Sequence, residues 1–177
     1  MKHARPLAAL ALLAAAALAR AEPVSATLAE QRLTDGAQAW DVRATSPALL
    51  PGSKQLDAGF CLAALQRGDM AALSRAVSAA GIDLSRDVLI YGEAGDARAQ
   101  ALHELLASVA SGRVDWLVGG VDEWRLGGRH TVAAPAAHLP VPQHLVWRDG
   151  SAGSARMAGA ALRDPVASAA EHLAAAR

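Results

Sequence analysis

Residues 88–102 read VLIYGEAGDARAQAL: a run of β-formers, a loop with two glycines, then a helix-like stretch. A strand feeding a short loop at a helix start is how many α/β proteins hold an anion or present a nucleophile. The first helical turn leaves backbone N–H groups unpaired, and they point at the loop. Here the loop is Gly92-Glu93-Ala94-Gly95-Asp96-Ala97-Arg98. Its N–H groups and the planar guanidinium of Arg98 suit a small oxyanion, whereas the carboxylates of Glu93 and Asp96 would repel one. Gly92, the first residue after the strand, has no side chain to react. In the plain alternative Gly92 only permits a tight turn, and Arg98 pairs on the surface with an acid such as Glu93.

Other residues capable of chemistry are few. Cys61 is the sole cysteine, so an internal disulfide is excluded. It follows a short strand expected near residues 54–56 by a few positions and can therefore lie on the same sheet edge as the loop. Packing as a small hydrophobe within Phe60-Cys61-Leu62 is the simpler reading. Lipidation of Cys61 is a poor reading so far from the N-terminus. His103, His130, His138, His144 and His172 are scattered, with no paired ligand spacing. No metal site and no cofactor is expected.

The elements that must position these residues follow from caps and periodicity. Thr27-Leu28-Ala29-Glu30 fits a capping box, and the helix it opens should stop near Asp35-Gly36. Residues 39–43 read as a strand, Pro51-Gly52 as a turn, and 54–56 as a short strand. Asp69 can cap a helix carrying Leu73, Val77 and Ala80 and ending before Gly81. The strand 88–91 leads to a second amphipathic helix with Leu102, Leu105, Leu106 and Val109, which closes by Gly112. A strand over 115–118, the pair Gly119-Gly120 and a short helix around Trp124 come next. This alternation implies a parallel sheet covered on both faces. Residues 129–163 are rich in Ala, Pro and Gly and read mostly as loop, and Asp164-Pro165 suits the start of a terminal helix.

The N-terminus has a basic start (Lys2, Arg5), an apolar run from Leu7 to Ala19 and the small-x-small site Ala19-Arg20-Ala21. This predicts a signal peptide over 1–21 and a mature chain near Glu22 in the periplasm or outside the cell; an uncleaved anchor is the alternative. Removing 1–21 takes three of the 17 basic residues and none of the 17 acidic ones, for a net charge of about −3. Nothing then favours nucleic acid, and no later segment suits a bilayer. The expected organisation is one domain over 22–130 and an Ala/Pro/Gly-rich extension over 131–177.

Trp40-Asp41-Val42-Arg43, Pro51-Gly52-Ser53, the strand and loop 88–98 and Trp116-Leu117-Val118-Gly119-Gly120-Val121-Asp122-Glu123-Trp124 occur in an order that resembles a rhodanese domain. The resemblance covers roughly residues 24–130. It implies a rhodanese-like α/β fold: a mainly parallel five-stranded sheet flanked by helices on both faces. It also implies a loop opened by a cysteine that carries sulfur as a persulfide, at the position held here by Gly92. The family's loop often closes with a basic residue where this chain has Ala97. The Gly92–Arg98 spacing instead copies the Cys-x5-Arg loop of related phosphatases, without the cysteine. Asp41 and Arg43 are expected to clamp neighbouring loops, Gly119 and Gly120 to turn the chain beside the loop, and Trp124 to pack the short helix on the sheet. The expected function is a non-catalytic binding or accessory module for a protein partner or a small oxyanion. The alternatives are a sulfurtransferase working through Cys61 and a pseudo-phosphatase-like oxyanion binder.

Overall fold

The computed structural model describes residues 21–134 and 138–147. Five strands form one all-parallel sheet in the order β1-β5-β4-β2-β3. They are β1 (Ala21–Val24), β2 (Gln38–Asp41), β3 (Lys54–Gln55), β4 (Val88–Tyr91) and β5 (Val114–Leu117). Each of β2, β4 and β5 is buried along its whole length, as parallel strands covered on two faces must be. β4 lies at the centre, with Trp40 opposite Ile90 on one side and Trp116 opposite Ile90 on the other.

Side chains alternate between two cores. Trp40, Val88, Ile90, Val114 and Trp116 face α2 (Ala58–Arg67), α3 (Met70–Ala79) and α4 (Ala97–Leu106). Ala39, Leu89, Tyr91 and Leu117 face α1 (Ala26–Thr34) and α5 (Gly120–Leu126). Helices thus cover both faces, as expected.

The start of α1 differs in detail from the sequence reading, whereas its end at Asp35-Gly36 stands where expected. Its cap is Ser25, whose hydroxyl accepts from Leu28 N, and not Thr27. Thr27 and Glu30 lie inside the helix and instead take Arg129, whose Nε reaches Glu30 Oε2 at 2.8 Å. A tertiary partner outcompetes the local box here. α3 starts at the expected Asp69 cap, with Ala72 N 2.9 Å from Oδ1.

Two elements escape the sequence analysis. α2 is capped by Asp57 and closed by Gly68 in the left-handed region at φ +70°; Ala58, Cys61, Leu62 and Leu65 form its buried stripe. β1 carries a proline and a glutamate and has little intrinsic strand character. It stands because it is an edge strand, where Pro23 need not donate on its outer side, and because β5 templates it from Ala21 opposite Val114 to Val24 opposite Leu117.

After α5 the chain makes one antiparallel bridge, Val132 with Leu49. Residues 138–147 then return to α3: Val141 N donates to Ser78 O, Leu145 N to Ser74 Oγ, and the Gln143 side chain joins Leu84 N and Ile82 O. Leu145 is buried in the α2–α3–α4 core. The predicted signal peptide and the terminal helix at Asp164 lie outside the described residues, apart from Ala21. No described helix is long and apolar enough to cross a membrane.

Candidate functional site

In a parallel sheet every strand ends at the same edge, so the segments after β2, β4 and β5 meet there. After β2 comes Arg43, which ties that edge together. Its Nε and Nη2 grip the fully buried Asp41 carboxylate, with Nη2 to Oδ2 at 2.6 Å. Nη2 also donates to Ala48 O at 2.9 Å, and Nη1 to Glu93 Oε1 at 2.8 Å. The hydrogen bonds to Asp41 lead in raising the Arg43 pKa, with Glu93 adding to the same effect. The clamp therefore spans the end of β2, the 44–48 segment and the loop after β4. Glu93 pairs with Arg43 and not with Arg98.

Tyr91 anchors the loop from below. Its hydroxyl donates to Ser53 Oγ at 2.8 Å and accepts from Leu50 N at 3.0 Å, which fixes the Pro51-Gly52 turn against β4. Burial, and then the Asp41 charge, raise its pKa.

From above, the loop is held by the start of α5. Val121 N donates to Gly92 O at 3.1 Å, and Gly95 N donates to Val118 O at 3.0 Å. Gly120 has φ +56°, and a Cβ there would lie 2.3 Å from Gly92 O. Only glycine allows so close an approach. Gly119 N donates to Glu123 Oε2, while Glu123 Oε1 accepts from Ala26 N at 2.8 Å, joining α5 to the start of α1. Trp124 packs in the α1–α5 core and donates from Nε1 to His130 O at 2.8 Å.

Within the loop, Gly92 is buried and Glu93, Ala94 and Gly95 are exposed. Asp96 caps α4: its Oδ1 accepts from Arg98 N at 2.9 Å and from Arg98 Nε at 3.4 Å. Asp96 N donates to Glu93 O at 3.2 Å. Of the six N–H groups from 93 to 98, those of Gly95, Asp96 and Arg98 are thus engaged inside the protein. Ala97 opens α4 and is exposed, and the Arg98 side chain is 59% exposed and lies along its own cap.

Cys61 sits one turn into α2. It is fully buried among aliphatic neighbours, and burial, with the Asp57 charge adding, pushes its thiol up to about 12. A thiol in that environment is a poor nucleophile, because the thiolate is the reactive form. Among the described residues no three of His, Cys, Asp and Glu gather in a way that would hold a metal ion.

No family model matches the sequence, and no curated protein matches it. Solved structures do. SseA from Escherichia coli, described as a 3-mercaptopyruvate sulfotransferase with the rhodanese fold, superposes at a TM-score of 0.56 and 16% identity, covering 71% of this chain and 55% of that one. The chain has the rhodanese fold. An anaerobic ergothioneine biosynthesis enzyme from Chlorobium limicola, in complex with trimethyl histidine, matches this rhodanese-fold chain at 0.52 and 18% identity over 68% of the chain and 36% of its own. Wild-type EanB matches at 0.53 and 18%, covering 69% of this chain and 36% of that one. The chain thus spans only about half, or about a third, of these structures. At such identities the likeness establishes the rhodanese fold, and a fold hosts many functions.

The structure gathers Asp41, Arg43, Gly92–Arg98, Gly119 and Gly120 at one sheet edge. Cys61 is packed into the core under the helices. Tyr91 and Glu123 escape the sequence reading as parts of the site. Tyr91 is signalled only by being an aromatic with a polar tip at a buried strand end, and Glu123 only by an acid in the first turn of a helix. Asp96 is legible as a potential repeller of anions, but not as the cap of α4.

Proposed function

We propose that this protein is an exported rhodanese-fold module that transfers no sulfur itself and acts as a binding or accessory module. The observation that carries this reading is the loop opening. The residue after β4 is Gly92, and a Cβ placed on it would lie 2.9 Å from Asp96 Oδ2. The space in which a side chain would act therefore holds a carboxylate, and nucleophilic catalysis needs a reactive group at that point. The buried, high-pKa state of Cys61 adds support, because it opposes a route through that thiol. The oxyanion-binding alternative is opposed by the same carboxylate and by the N–H groups already engaged within the loop.

Incubated with thiosulfate and cyanide, the purified mature protein is expected to form thiocyanate no faster than buffer. Turnover that disappears in Cys61→Ser would overturn the proposal and establish the sulfurtransferase reading.

A further inference from the structure

We infer that Asp96 is a built-in occupant of the loop, and that this one carboxylate makes the loop reject external tetrahedral oxyanions. The inference rests on the non-catalytic reading above and extends it to the residue responsible.

Its geometric basis is the direction of the Asp96 side chain. From Gly92 a Cβ would meet Asp96 Oδ2 at 2.9 Å, Asp96 Cβ at 3.3 Å and Val42 Cγ2 at 3.3 Å. The Asp96 side chain is 9% exposed, and Oδ2 is buried with no hydrogen-bond partner, although Oδ1 has two donors from Arg98. A buried carboxylate oxygen with no donor is costly unless the surrounding potential is positive. Two features supply that potential here: the N-terminus of α4, a helix of ten residues, and the guanidinium of Arg98. Both would otherwise attract an external anion. Asp96 thus takes both the volume and the field that an oxyanion would use, and its partial desolvation marks the loop as filled from within.

Two measurements test this, and neither depends on turnover, so failure here is distinct from failure of the non-catalytic reading. In the first, sulfate is titrated into wild type and Asp96→Gly at constant ionic strength. Glycine is accepted at a helix N-cap at a cost of only a few tenths of a kcal/mol, so the variant is expected to fold. Removal of the carboxylate should tighten sulfate binding by about tenfold or more, because a like charge a few ångströms from the ligand is lost. Equal binding by the two proteins, or none by either, would overturn the inference.

The second measurement places a reporter in the filled space. Gly92→Cys puts a thiol beside Asp96, and the adjacent carboxylate should raise its pKa above the ordinary value of about 8.5. In Gly92→Cys/Asp96→Gly the helix end and Arg98 should instead bring it below about 8.5. Cys61, pushed up to about 12, stays silent in such a titration. The same thiol pKa in both backgrounds would show that Asp96 does not control the loop.

Discussion

At the scale of single residues, the ionisable groups of the site are tied to one another and to the backbone. Arg43 serves three segments at once, Glu93 is its partner, and Asp96 is held by Arg98. Arg98, the residue best suited by type to hold an oxyanion, is turned back on its own helix cap. Side-chain type was readable from the chain, but direction was not, because it depends on which partner lies nearest after folding. Burial of Cys61 and Tyr91 has a consequence that a pH series can measure. Both groups stay protonated in the fold at pH values where the unfolded chain has lost those protons. The unfolded state then binds fewer protons, so stability must fall as pH rises. The Cys61 contribution starts near its unfolded value of 9.0 and runs to about 12, and that of Tyr91 starts near 10.0. Urea unfolding of wild type should show stability declining by up to ~1.4 kcal/mol per pH unit between pH 9 and 10, and about twice as steeply once Tyr91 joins. In Cys61→Ala the decline should begin about one pH unit later. Identical pH profiles for the two proteins from 8.5 to 10 would mean that the thiol is not buried as described.

Elements set the rigidity of the loop. It lies between the end of β4 and the first turn of α5, and the contact is backbone to backbone. This makes the two left-handed glycines unequal. Gly95 has φ +68° and open space around it, whereas Gly120 has φ +56° and faces Gly92 O. Gly95→Ala should cost about 1 kcal/mol, the penalty of left-handed backbone alone. Gly120→Ala adds a steric conflict with backbone that cannot swing away, for a total of about 3 kcal/mol or more. Equal losses in chemical denaturation would show that α5 does not press on the loop. Most elements were legible because caps and apolar periodicity act over a few residues: Asp69, the 88–91 run and the Trp124 helix all stand where expected. α2 was missed because its stripe starts directly after a two-residue strand and its apolar run carries no Ser/Thr-x-x-Glu signal.

At the scale of the molecule, the N-terminal edge of the described chain bears on export. β1 begins at Ala21 and its remaining residues, Glu22–Val24, pair with Asp115–Leu117. Cleavage after Ala21 would leave those three pairs in place, so the export proposal is compatible with an intact sheet. The chain recovered from the periplasm should begin at or near Glu22, as read by intact mass and N-terminal sequencing. Full-length protein in the cytosol would remove the proposal. The segment 138–147 shows that the core does not end with α5, because Leu145 and Gln143 close the far side of α3. An open groove between α3 and residues 144–147 is lined by Met70, Ser74, Arg75 and Trp147, and no loop residue contributes to it.

By itself the sequence determined the class of the fold, the place of the loop after the strand 88–91, the glycine that opens it and the clamp pair Asp41 and Arg43. Those features rest on residue type and short spacing, which survive in one dimension. Tertiary structure decided that AEPV becomes a strand, since only pairing with a segment some ninety residues away makes it one. It decided that Glu123 joins α5 to Ala26 across 97 residues. It also decided that Asp96 points over Gly92. The sequence places that carboxylate four residues from the glycine, but only in the fold does its Oδ1 cap α4 while its Oδ2 lies beside Gly92. A charge read along the chain gives a sign without a direction, and at this site the direction separates an anion cradle from a filled one.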